Sequence, residues 1–175
     1  YKQASKLELE LGRPVVPCFW MATDDHDFAE IKNVRLLNRA GECINISYEP
    51  ASLLDGVPMA DVILDDGIED LLRQVDENLL ETEFTGHIRN LLESSYISGR
   101  RLSEAFAALF NKLMEDFGIV PIDPNYPGLK RIMAPVFLGE IENHPETFER
   151  FEKRSSDIVK TGYHRQVHKT GDSLN

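Results

Sequence analysis

Val15-Val16-Pro17-Cys18-Phe19-Trp20-Met21 is an unbroken apolar run that passes at once into Ala22-Thr23-Asp24-Asp25-His26-Asp27-Phe28. The run is too short for a helix. Apolar side chains at successive positions put both faces of a strand in need of cover, as in a central parallel strand. Pro17 works against a place inside a sheet, because proline has no N–H to donate to a ladder. The abrupt change from apolar to acidic residues marks the carboxyl end of the strand, where open α/β sheets bind ligands. Three carboxylates around one imidazole are able to hold a metal ion, position an amine or move protons near neutral pH. Trp20, at the end of the run, offers a base or sugar a flat stacking surface. The competing role is structural. Asp24 or Asp25 would cap a short helix over residues 26–31, and His26 would only bond a backbone carbonyl. Spacing alone does not separate the two, and they are compatible, because helix starts also attract anions.

A second apolar run, Ile119-Val120-Pro121-Ile122, also ends on an acid, in Asp123-Pro124. Both runs are expected as parallel strands of one sheet with helices on its two faces. Asp123 taken alone favours a turn or a cap. Upstream, Leu7, Leu9 and Leu11 precede Gly12 and Pro14, the pattern of a helix with a glycine stop. Residues 34–37 and 43–48 flank Arg39-Ala40-Gly41-Glu42, which predicts a β-hairpin with Ile44, Ile46 and Tyr48 on one face. Asp65 or Asp66 is expected to cap a helix to about residue 79, and Glu69 would complete a capping box with Asp66. Phe84, His87, Ile88, Leu91 and Leu92 mark a further helix. Helical spacing of Leu102, Phe106, Leu109, Phe110, Leu113 and Phe117 predicts another, closed by Gly118. Residues 129–137 predict a helix kinked at Pro135, and Asn143-His144-Pro145-Glu146 the start of a separate helix to Gly162. Residues 163–168 are expected to open a strand of a new unit. Alternation of strand and helix predicts an α/β layer fold, with the hairpin as an excursion from it.

A chain of 175 residues with 42% apolar content is able to bury a core without disulfides. Its net charge of −11, from 19 basic and 30 acidic residues, argues against a nucleic-acid partner, which needs cations to replace counterions. No apolar run is long enough for a membrane span and no leader pattern is present, so a cytoplasmic protein is expected. Cys18 and Cys43 are expected as buried, reduced thiols, with no paired motif for zinc. The chain starts at Tyr1 and stops on turn-like residues, and is expected to be an internal part of a longer protein.

Other candidates carry less chemistry. His144 precedes Pro145 and reads as a cap. His164 and His168 fall in an expected strand, where helical His-x-x-x-His metal logic does not apply. Arg100-Arg101 reads as a solvated helix start rather than a phosphate contact. Ser94, Ser95 and Ser98 lack a nucleophile elbow. No dinucleotide-binding or phosphate-loop glycine motif occurs.

The stretch from Arg13 to Phe28, with Phe19-Trp20 followed by Asp25-His26-Asp27, resembles a segment of the bacillithiol biosynthesis cysteine-adding enzyme family. Similarity continues through Glu93-Ser94-Ser95-Tyr96, Phe106, residues 119–122 with Asp123-Pro124, and Gly162-Tyr163-His164. It covers most of the chain in family order. The resemblance implies a Rossmann-like parallel sheet flanked by helices, related to class I nucleotidyltransferases. It implies a ligase that adds cysteine to the amino group of glucosaminyl-malate. Asp25, His26 and Asp27 become the expected catalytic residues, and Trp20, Asp24 and Asp123 the expected substrate contacts. His26 would transfer protons or orient substrate, and the carboxylates would hold the amine or a divalent ion. The cofactor stays open, with ATP and a divalent metal ion as the candidates, and a homodimer of the full-length protein is a candidate assembly. Residues 1–162 would be part of the Rossmann-like core without its first strand and phosphate loop. Residues 163–175 would begin an inserted connecting-peptide-like domain. Such a piece alone is expected to be a poor catalyst. The alternatives are another nucleotide-binding or nucleotidyl-transferring enzyme, and a noncatalytic binding or assembly module on the same fold.

Overall fold

The computed structural model describes residues 1–51, 53 and 56–165. Two compact units divide the chain, Tyr1–Tyr126 and the segment from Pro127 onward. In the first unit, helix α1 (Lys2–Leu11) ends at Gly12 in the left-handed conformation, with φ +61°. Strand β1 (Cys18–Trp20) pairs in parallel with β4 (Val120–Ile122), Cys18 opposite Val120 and Trp20 opposite Ile122. The two expected strands thus lie in one sheet. Pro17 stands just outside the ladder and joins it only through its carbonyl, which accepts the Val120 N–H at 3.0 Å. This is the pairing proline permits.

Residues 15–21, expected as a strand buried on both faces, are shorter and more open. Only three residues are strand, and all three are exposed. Helix α5 (Leu102–Leu113) covers one face, where Phe19 stacks on Phe110 at 4.6 Å between ring centroids and lies 6.0 Å from Phe106. Alternation along the strand turns Cys18 and Trp20 to the other face, and Trp20 is 52% exposed there. A sheet of two short strands presents too little surface to sandwich itself. Cys18 and Cys43 are likewise exposed free thiols rather than buried ones, Cys18 on this open face and Cys43 at the end of a two-stranded hairpin.

That hairpin, β2 (Asn33–Leu37) with β3 (Cys43–Ser47), is a separate antiparallel sheet. Ile46 on β3 is buried at 3% exposure. Beyond β3, Tyr48 locks the hairpin to α3 (Gly67–Asn78). Its hydroxyl donates to Asp65 Oδ1 at 3.1 Å and accepts the Asp65 N–H at 2.9 Å. Asp65 also accepts the N–H of Ala51 at 2.6 Å and of Gly67 at 3.1 Å. The expected Asp66–Glu69 capping box does not form: Asp66 makes no side-chain cap bond, and its carboxylate takes the Ser98 hydroxyl at 2.6 Å. Asp65, the other expected cap, does the capping, because its carboxylate reaches both the Ala51 N–H and the Gly67 N–H at the helix start.

The core gathers around residues 62–64, whose backbone bonds to residues 99–102, as in Leu64 N–H to Arg100 O at 2.9 Å. Leu64, Ile68 and Ala105 form one buried cluster; Phe28, Met59 and Val62 form another; Tyr48 and Leu102 pack on both. Helix α4 (Thr85–Ser95) ends on Arg100, whose guanidinium donates to the Ser94 and Ser95 carbonyls at 3.0 and 2.6 Å. A cation on the carbonyl end of a helix satisfies groups that the helix leaves unpaired. After α5, a short 3₁₀ turn at Glu115–Phe117 closes on Gly118 at φ +59° before β4.

In the second unit, α6 (Pro127–Lys160) runs unbroken through Pro135 and Pro145. The separate start expected at Asn143 is absent, and the Asn143 side chain bonds back to Gly139 O at 2.6 Å. Each proline removes one helical hydrogen bond. Ile141, four residues before Pro145, is 71% exposed. The expected strand at 163–168 and inserted domain at 163–175 fall, from residue 166 onward, outside the described residues. Among the described residues no helix is long and apolar enough to cross a membrane.

Candidate functional site

The acidic turn follows β1 directly, at the carboxyl end of the parallel pair. Its two flanks are buried: Thr23 is 6% exposed before it and Phe28 7% after it. Phe28 begins α2 (Phe28–Ile31) and packs in the core cluster with Met59 and Val62. Between these anchors Asp24, Asp25, His26 and Asp27 are all exposed. Backbone bonds hold the turn from the side, with Ala60 N–H on Thr23 O at 2.9 Å and Met59 N–H on Asp25 O at 2.8 Å. The sequence therefore makes a rigid base under four polar side chains that face solvent.

Asp25 is engaged locally. Its Oδ1 accepts the N–H of His26 at 2.7 Å and of Asp27 at 3.3 Å. His26 Nδ1 lies 3.9 Å from the same oxygen, with the imidazole 71% exposed. Asp27 occupies the cap position of α2 but makes no side-chain cap bond. The short helix begins at residue 28 rather than 26, and Asp25 stabilises the turn before it. Asp25 makes the bonds that shape the turn, while the His26 ring and the Asp24 and Asp27 carboxylates make no bond of that kind.

Asp123 stands beside this turn. Its Oδ1 accepts the Thr23 hydroxyl at 2.5 Å and the Asn125 N–H at 2.8 Å. The two strand ends are therefore joined by a side-chain bond across 100 positions of sequence. Thr23 was not singled out by the pattern of residues. The available signal was its alternation with Phe19 and Met21, which turns it inward, and the matching acid at the end of the second run. Trp20 lies on the opposite sheet face from Phe19, at the same strand end. Arg101 pairs with Asp61 at 3.0 Å, Lys112 with Ser94 Oγ at 2.5 Å, and neither belongs to this turn.

Among the described residues, no three His, Cys, Asp or Glu groups converge on a point where they could hold a metal ion. Carboxylates spread around an exposed turn do not by themselves make a resident metal cage, which needs converging ligands. On the Phe19 side of the sheet a half-open cavity of about 630 Å³ is lined by Met21, Thr23, Ile68, Leu71, Leu92 and Phe106. Its walls are almost wholly apolar.

Residues 2–175 match the model for the bacillithiol biosynthesis BshC N-terminal Rossmann-like domain. A relative from Salinibacter ruber, provisionally named cysteine ligase BshC, is 34% identical over 95% of this chain and 31% of its own length. Relatives with the same provisional name from Koribacter versatilis and Staphylococcus carnosus are 31% and 28% identical, over 93% and 90% of this chain and 30% and 29% of their own lengths. The chain thus spans about a third of the length of these relatives. The parallel strand pair agrees with a Rossmann-like domain, and the chain belongs to the BshC family of bacillithiol biosynthesis.

Proposed function

We propose that this chain carries the acidic site of a ligase that joins the carboxyl group of cysteine to the amino group of glucosaminyl-malate. The observation that supports this most is the solvent-facing Asp24–Asp27 turn, anchored by Thr23 and Phe28 at the carboxyl end of a parallel strand. The family and the provisional name of its members supply the reaction class. Amide formation from an amine and an activated carboxyl group requires the nitrogen to shed protons. His26 is the group to take one, being an exposed imidazole at the strand end. Asp24 and Asp27 attract and orient the cationic form of the amine before it reacts. Asp25 keeps the turn in shape through its two backbone bonds and sits 3.9 Å from the imidazole. Trp20 and Asp123 border the substrate, Asp123 through the oxygen that Thr23 does not hold.

Activation of the carboxyl group calls for a nucleoside triphosphate, which supplies the leaving group that water-stable carboxylates lack. The acidic turn fits the amine better than a divalent ion, because its ligands do not converge. Any ion that accompanies the nucleotide would take ligands beyond these four residues. A class I nucleotidyltransferase-like ancestry and a homodimer of the full-length protein are parts of the same proposal. Thiol mass spectrometry of cells lacking the full-length gene tests it. Loss of bacillithiol with accumulation of glucosaminyl-malate is expected, and unchanged bacillithiol refutes it.

A further inference from the structure

We propose that Thr23 is a positioning residue, which fixes the Asp123 carboxylate and the Asp24–Asp27 turn as one rigid unit. The inference rests on the reading of that turn as the reacting site, and adds to it a residue that touches no substrate.

Four observations carry it. Thr23 is 6% exposed, so its hydroxyl is shielded from competing water. That hydroxyl donates to Asp123 Oδ1 at 2.5 Å, the one side-chain bond described between the carboxyl ends of β1 and β4. The same Asp123 oxygen accepts the Asn125 N–H at 2.8 Å, so two donors from distant parts of the sequence hold that oxygen. Finally, the Thr23 carbonyl accepts the Ala60 N–H at 2.9 Å, next to the Met59–Asp25 bond at 2.8 Å. One residue therefore connects three segments: the end of β1, the end of β4 and a 3₁₀ turn at Met59–Asp61.

The chemistry needs this arrangement. Asp24, Asp25, His26 and Asp27 are exposed and make few bonds outward, so their own side chains do not fix where they point. A hydrogen bond from a buried hydroxyl to a carboxylate oxygen is directional. It fixes one oxygen of Asp123 at the carboxyl end of β4, beside the turn that follows β1. Parallel strands that end on separate acids become a single site only when their ends are held in register. Neither Ser94 nor Ser98 does this, because their hydroxyls bond the Asn90 carbonyl and Asp66.

The test uses the full-length enzyme carrying this segment. Thr23→Val keeps the volume and removes the donor, while Thr23→Ser keeps the donor. With Thr23→Val, kcat is expected to fall about ten- to hundredfold with KM for the amine little changed, since misplaced groups slow the reaction more than binding. Hydrogen exchange at the His26 and Asp27 amides is expected to quicken, with exchange in α5 unchanged. Thr23→Ser is expected to restore both readings. A Thr23→Val enzyme with unchanged kcat and exchange overturns the proposal, as does a Thr23→Ser enzyme as impaired as Thr23→Val. Where Thr23→Val fails to fold, Thr23→Ala takes its place under the same criteria. His26→Ala serves as the control. If it retains full turnover, the turn is not the reacting site, and the positioning role is judged on exchange alone. Faster exchange upholds it and unchanged exchange overturns it.

Discussion

Asp25 is where a structural cap and a reacting group are most easily confused, and three substitutions in the full-length enzyme separate them. Asp25→Asn preserves an acceptor oxygen for the His26 and Asp27 N–H groups, now at 2.7 and 3.3 Å, and removes the charge. Asp25→Ala removes both bonds. His26→Ala deletes a ring that is 71% exposed and whose nearest carboxylate is 3.9 Å away. Loss of a cap of this kind lowers stability by about 0.5–2 kcal/mol, so Asp25→Ala should do so. Exposed changes away from special features stay within about 0.5 kcal/mol, which sets the expectation for Asp25→Asn and His26→Ala. At about 2–4 °C per kcal/mol for a domain of this size, Asp25→Ala should lower Tm by roughly 1–8 °C. The other two should move it by about 2 °C at most. Turnover should respond differently. His26→Ala and Asp25→Asn are each expected to lose at least about a hundredfold, the lower range for losing a general acid or base and its charged neighbour. Scanning calorimetry and bacillithiol formation, measured on the same preparations, give both numbers. Normal turnover in Asp25→Asn, with stability lost only in Asp25→Ala, would refute the argument and leave Asp25 as a cap.

Three further outcomes follow from the packing. Burial first, and then the Asp65 carboxylate, pushes the Tyr48 phenol up to about 12 from 10.0. Its contribution to stability is complete below 10.0 and disappears as pH rises toward about 12, and Tyr48→Phe should abolish that alkaline loss in chemical unfolding. The Ala51 N–H, ahead of the Tyr48 hydroxyl and the Gly67 N–H, holds Asp65 below its ordinary value of 3.8. Stability from Asp65 is therefore present above 3.8 and lost as pH falls through the lowered value, so Asp65→Asn should flatten the acid limb of the same unfolding series. Gly118→Ala should destabilise by about 1–2 kcal/mol through backbone strain alone, because φ is +59° and a Cβ there meets nothing within 4 Å. Urea unfolding measures that change, and an unaltered midpoint would show that the α5–β4 turn relaxes to another conformation.

Local physics made much of the fold legible from residue order. The apolar pattern of residues 2–11 with Gly12, the helical spacing from Leu102, and the two apolar runs ending on acids all depend on contacts within a few positions. Those rules hold wherever the segment lies: helices bond at four residues' distance and strands alternate every second one. The acidic turn was legible for the same reason, since its flanks and its four polar residues are consecutive. Tertiary structure decided the rest. Whether Asp65 or Asp66 caps α3 depended on where the Tyr48 hydroxyl and Ser98 came to lie, 17 and 32 positions away. Continuity of α6 through Pro135 and Pro145 is not written in the local pattern, since each proline removes a helical hydrogen bond and alone reads as a kink or a start. Burial of β1 depended on what covers the sheet, and only the α5 face has Phe106 and Phe110 against it. Above all, the partnership of Thr23 with Asp123 spans 100 positions. Each residue alone reads as an ordinary turn residue, and only the parallel pairing of β1 with β4 places the two within hydrogen-bonding distance.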